Sequence, residues 1–113
     1  MAIKVKEGAS ISNCRKEILC ALITIISPLF KSHDLDTVVT SGAEMYKHSV
    51  KRSAHYRGDA VDLRSKHIPN EGLKAKIFDE LAATLGDDFV VLWEGVGKPW
   101  EHYHIHWSPV YRD

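Results

Sequence analysis

Near its C-terminal end the chain reads Glu101-His102-Tyr103-His104-Ile105-His106-Trp107, three histidines at every second position. In an extended strand, side chains alternate between faces, so His102, His104 and His106 share one face and Tyr103, Ile105 and Trp107 the other. One face packs and the other collects imidazoles. Buried neutral imidazoles each need a hydrogen-bond partner, so packing alone gives no reason for three of them together; metal ligation or acid-base work does. A surface stripe of histidines is the plainer alternative. Upstream, Ser53-Ala54-His55-Tyr56-Arg57-Gly58-Asp59-Ala60-Val61-Asp62 offers a loop histidine and, seven residues later, a carboxylate, with Gly58 letting the chain turn between them. Catalytic zinc takes three protein ligands of these types and leaves a fourth position for water, whose pKa it lowers. His55, Asp62 and one histidine of the final strand make such a set.

These residues need elements to hold them. Ser12 or Asn13 is a suitable N-cap for a core helix carrying Ile18, Leu19, Leu22, Ile23 and Ile26, which Pro28 should end or bend. A polar connection over 31–36 leads into the β-branched run Thr37-Val38-Val39-Thr40, read as a strand. Residues 41–57 follow neither period and read as a long surface loop. Asp59 to Arg64 alternates, with Val61 and Leu63 on one face and Ala60, Asp62 and Arg64 on the other. A second helix spans about Asn70 to Leu85, with Leu73, Ile77, Leu81 and Leu85 at four-residue steps and Gly86 at the stop. Phe89 to Trp93 reads as a strand, and 95–99 as a turn into the strand of about Glu101 to Trp107. The expected fold is one α+β domain over 1–113, a small antiparallel sheet packed against two helices.

Composition narrows the function. At 113 residues, 44% hydrophobic and 27% charged, the chain suits a single core, and its formal net charge of zero gives no broad field for nonspecific nucleic-acid or anionic-membrane binding. Cys14 and Cys20, six apart on a helix, lie on different faces, so they suit neither a shared disulfide nor a shared metal and read as small apolar side chains in a reduced compartment. No signal peptide or membrane span is evident from the start of the sequence or from the thirteen-residue apolar run of 18–30.

The stretch SAHYRGDAVDLR resembles the Ser-x-His-x-x-Gly-x-Ala-x-Asp signature of the zinc D-alanyl-D-alanine carboxypeptidases and L-alanyl-D-glutamate endopeptidases, peptidase family M15. It also resembles the same stretch of the hedgehog signalling domain, which shares that fold. The resemblance covers roughly residues 37 to 110. It implies a hedgehog-like or DD-peptidase-like fold, a Zn2+ cofactor and His55 and Asp62 as ligands. An acidic residue three before the last ligand is part of the pattern, which makes His104 the third ligand and Glu101 the general base. A His-x-His pair whose second member binds zinc also occurs among related enzymes, which leaves His106 as the other register. His102 becomes a candidate for stabilising the tetrahedral intermediate or moving protons, and His48 on the preceding loop a candidate for stabilising the intermediate. Arg52 and Arg57, with Lys51, are candidates for binding a substrate carboxylate or polarising the scissile carbonyl, against the plain reading of solvated loop charges. Glu94 either points into the site or is a solvated strand end, while His33 and His67 read as surface residues. The function implied is a zinc peptidase acting on the peptide stems of bacterial peptidoglycan. It would be cytoplasmic at synthesis, as in a phage-type enzyme released by lysis or a cytoplasmic enzyme acting on imported fragments. The alternative is a non-catalytic zinc-containing binding module on the same fold.

Overall fold

A computed structural model of the chain describes residues 2–44 and 58–109. In chain order the elements are β1 (Ile3–Val5), α1 (Lys16–Ala21), a π-helical turn (Leu22–Ile26), α2 (Ser27–Lys31), β2 (Thr37–Ser41), β3 (Ala60–Arg64), α3 (Glu71–Leu85), β4 (Phe89–Glu94) and β5 (His102–Trp107). The strands form one sheet in the order β1-β2-β3-β5-β4. The α+β class matches the expectation, but the sheet is mixed: β1 runs parallel to β2, and the other pairs are antiparallel. A parallel neighbour requires a crossover, which the first helical segment supplies. The short strand β1 had no alternation long enough to mark it. It is tied to β2 at its start by Thr37 N–H donating to Ala2 O (3.0 Å) and by Lys4 pairing with Asp36 (2.9 Å).

The first helix departs from expectation at both ends. It starts at Lys16 with Arg15 in the cap position and no side-chain cap, not at Ser12 or Asn13. Instead Ser10 and Ser12 share a hydroxyl hydrogen bond (2.7 Å), and Cys14 N–H donates to Ile11 O (3.1 Å), so this segment forms a turn. At the other end helix continues through Pro28 to Lys31. Proline removes one backbone donor and crowds the preceding turn, and the wider π-turn just before it accommodates that loss. Ile18, Leu22, Ile26 and Phe30, one step of four apart, are fully buried, whereas Ile23 is 61% exposed because it lies about a quarter-turn beyond Leu22. Helix α3 behaves as its sequence suggests. Asn70 Oδ1 caps it by accepting from Leu73 N–H (2.8 Å), and Ile77, Leu81 and Leu85 are buried. Among the described residues no helix is long and apolar enough to cross a membrane.

The helices meet one face of the sheet. Val39, Val61, Leu63, Tyr103 and Ile105 point into a shared core with Ile18, Phe30, Ile77 and Leu81. Each fully buried aliphatic side chain there contributes about 1.5–3 kcal/mol of burial free energy. Cys14 belongs to this core, and burial pushes its thiol up to about 11, while Cys20 is exposed. Only one of the two is thus the small apolar residue expected.

Entry into β3 is set by the N-terminal segment. Arg15 N–H donates to Gly58 O (2.8 Å), the Arg15 guanidinium pairs with Asp59 (2.5 Å), and it lies 4.7 Å from the Trp107 ring centroid. Gly58 has φ +75, and a Cβ there would sit 2.2 Å from the Asn13 carbonyl oxygen. A side chain is therefore excluded both by conformation and by space. Gly58→Ala should lower unfolding free energy by more than about 2 kcal/mol, since a non-glycine residue at such φ costs about 1–3 kcal/mol before the Asn13 contact is counted. Urea titration checks this; wild-type stability would mean that Asn13 does not pack on Gly58.

Candidate metal centre

The β3–β5 register builds the site. Asp62 pairs across the ladder with His104, Ala60 with His106 and Arg64 with His102, while on the other side of β5 Glu94 pairs with His102. Val61 and Leu63 are buried against the helices, so Asp62, between them, faces the other way with His102, His104 and His106.

Asp62 Oδ1 lies 2.9 Å from His104 Nδ1, and His104 Nε2 lies 2.9 Å from His106 Nδ1. The two rings are 5.1 Å apart and inclined at 64°. With both imidazoles neutral, one proton arrangement serves this chain: His104 Nδ1–H donates to the carboxylate, and His106 Nδ1–H donates to His104 Nε2. His102 is set differently. Its Nδ1 lies 2.8 Å from Trp100 O, and its Nε2 lies 3.1 Å from Glu94 Oε1 and 3.8 Å from Asp62 Oδ1. All three neighbours are acceptors. With Nδ1–H donating to the carbonyl, a hydrogen bond between Nε2 and Glu94 requires one further proton shared by the two. Glu94, a doubtful candidate in the sequence, belongs to the site.

Glu101 lines the same cavity as Asp62 and His102, but its hydrogen bonds run elsewhere. It falls in the same alternation phase as Tyr103 and Ile105, is 4% exposed, and turns toward α3. Trp93 Nε1–H donates to its Oε2 (2.7 Å) and Lys74 Nζ to its Oε1 (3.1 Å), while Tyr103 O–H donates to Lys74 O (2.7 Å). Burial by itself would raise the Glu101 pKa, but hydrogen bonds from Trp93 and Lys74 and the Lys74 charge outweigh it and hold the carboxyl below its ordinary value. These contacts join sheet to helix through Glu101. The surface reading of His33 and His67 is corrected. His33 pairs with Glu80 (2.8 Å), and His67 stacks on Phe30 and bonds to Asp36 O (2.8 Å). Both brace the fold. His48, Lys51, Arg52, His55 and Arg57 lie outside the described residues.

The donor types fit zinc. A carboxylate oxygen and an imidazole nitrogen are among its usual ligands, and two ligands of one tetrahedral ion stand roughly 3.3 Å apart, near the Asp62–His104 separation. His106, reached through the opposite nitrogen of His104, fits a supporting role. Among the described residues no group of three or more such side chains is arranged to hold a metal, and a metal held by Asp62 and His104 would need a further donor. No family model, curated protein or solved structure matches the chain.

Glu101→Gln tests what the Lys74 and Trp93 contacts contribute. The variant should lose about 1–3 kcal/mol of stability, because Lys74 keeps a buried charge with one partner fewer. A carboxyl held below its unfolded value stabilises the fold fully above the ordinary range near about 4.3, and that contribution fades as pH falls through the folded-state value. The acid limb of wild-type stability should therefore flatten in the variant. Unchanged stability would mean that Lys74 and Trp93 do not tie Glu101 to the fold.

Proposed function

We propose that the chain is a zinc-dependent peptidase that hydrolyses amide bonds in the peptide stems of bacterial peptidoglycan. The observation that carries this reading is the carboxylate-imidazole pair Asp62–His104, held by the β3–β5 ladder and flanked by two more imidazoles. The substrate class rests on the resemblance of SAHYRGDAVD to the signature of such peptidases, which also makes His55 the further ligand.

Zinc bound at Asp62, His104 and His55 would supply Lewis acidity and a water acidic enough to attack at neutral pH. Around it, the chain's own residues have separable tasks. His106 orients His104 through its 2.9 Å contact, and with zinc on His104 Nδ1 it would accept the Nε2–H of His104. His102 and Glu94 lie 3.1 Å apart beside Asp62, and this partly exposed pair is suited to accept a proton from water and deliver it to the leaving amine.

A second reading is a zinc-holding binding module without hydrolysis. One observation favours it: the carboxylate at the spacing expected for the base is engaged by Lys74 and Trp93. Elemental analysis and amine release from purified peptidoglycan separate the readings. Wild type and Glu94→Gln should each carry about one zinc, His104→Ala should carry little, and amine release by Glu94→Gln should fall about 100-fold or more, the scale of positioned acid-base catalysis. Zinc in wild type without amine release from any wall type would establish the binding module, and no zinc in wild type would remove the metal centre.

A further inference from the structure

Asp62 and His102 line a cavity of about 260 Å³ whose walls also include Glu101, Lys6, Arg64, Lys66 and Trp100. Arg64 lies two residues along β3 from Asp62 and opposite His102, which brings its side chain to the same face as both. Three cations thus share one small cavity. None of them pairs with a carboxylate among the described residues, although Lys66 Nζ donates to Pro99 O (2.6 Å). The acidic side chains nearby are already engaged, Asp62 by His104 and Glu101 by Lys74.

The fourth wall is Trp100, 62% exposed yet held in place. Gly95 has φ +65, and a Cβ on it would come within 2.5 Å of the Trp100 ring, so the indole lies directly over the bare backbone. Lys98 N–H donating to Gly95 O (2.7 Å) closes the turn, and the Trp100 and Pro99 carbonyls are fixed by His102 and Lys66. A large apolar ring fixed at the edge of a cationic cavity offers a planar wall to an aliphatic or sugar group.

From this we infer that the cavity is the substrate's carboxylate anchor: Arg64 and Lys6 bind a carboxylate of a short peptide, and Trp100 covers the adjoining aliphatic part. A guanidinium presents a donor fork that matches a carboxylate, and an ammonium adds a second charge. The inference rests on the hydrolase reading for its orientation, since a carboxylate bound here would hold the neighbouring amide near Asp62 and His102. It assigns substrate binding to described residues that differ from Arg52 and Arg57.

The test uses the full-length protein labelled with nitrogen-15, following the Trp100 indole N–H, assigned with Trp100→Phe. Three probes are titrated: N-acetyl-D-alanyl-D-alanine, its C-terminal amide, and N-acetyl-D-glutamyl-D-alanine amide, which keeps only a side-chain carboxylate. We expect a saturable Trp100 shift with at least one acid, binding at least about tenfold weaker for the dialanine amide, and a comparable loss for the acid in Arg64→Met, the scale of a hydrogen bond to a charged group. Comparison of the two acids tells whether a terminal or a side-chain carboxylate is used. Equal affinity for acids and amide, or no saturable shift, would overturn the anchor. So would acid binding that is unchanged in both Arg64→Met and Lys6→Met. Acid-selective binding with no hydrolysis of wall peptides would keep the anchor and remove the peptidase reading, whereas hydrolysis with no preference between acid and amide would do the reverse.

Discussion

The antiparallel pairing of β3 with β5 sets Asp62 opposite His104, and the chemistry of this chain depends on that one register. Side chains in a strand alternate with a period of two, so a slip of one residue would carry Asp62 into the core and bring Val61 or Leu63 out. The register is fixed from the packed side. Val61, Leu63, Tyr103 and Ile105 are all buried against the helices, and a slip would expose them together. Several kilocalories of apolar burial therefore hold in place a contact between two polar side chains that would be weak alone. The imidazole face is precise because the opposite face is hydrophobic.

The two carboxylates nearest β5 divide along the same line. Asp62 lies on the imidazole face and Glu101, one residue before the strand, on the helix face, where Lys74 and Trp93 hold it ionised. Lys74 is in turn located by the Tyr103 hydroxyl on its carbonyl, so α3 is joined to β5 by polar contacts as well as by Ile77 and Leu81. A carboxylate in such surroundings is a poor proton acceptor, since protonating it would leave a buried ammonium with less compensation. Glu94 sits at the other extreme, 45% exposed in its side chain and touching one imidazole. Environment, and not residue type, separates the buried glutamate from the exposed one.

Much of this was legible from spacing. The alternation of HYHIHW gave the imidazole face, that of AVDLR gave the inward Val61 and Leu63, and the four-residue steps of α3 gave its buried stripe. The same alternation, carried one residue back, puts Glu101 with Tyr103 and Ile105, whereas motif spacing counts positions without assigning faces. Which strands are neighbours is a tertiary matter. That β5 lies between β3 and β4 follows from the order of the sheet, and it is this order that brings Glu94 and Arg64 to opposite sides of His102. The parallel strand β1, three residues long, and the passage of helix through Pro28 likewise depend on partners distant in sequence, and local propensity is silent about them.

The signature stretch itself mixes two kinds of constraint. Gly58 is required by a positive φ and by the Asn13 carbonyl, and Ala60 is completely buried opposite His106, where a larger side chain would have no room. These two positions fix how the chain enters β3, and they would be needed on this fold whether or not any reaction took place. Asp62 is the described member of the signature with a ligand's chemistry. Hydrolysis demands more than a ligand, namely a group to move protons and a means to orient the substrate. The residues proposed for those tasks, Glu94, His102, Arg64 and Trp100, all lie outside the Ser53-to-Asp62 stretch, at the end of β3, on β4 and β5 and in the turn between those two strands, so similarity in that stretch bears on the entry into β3 and on Asp62 and leaves these tasks to be argued from the sheet.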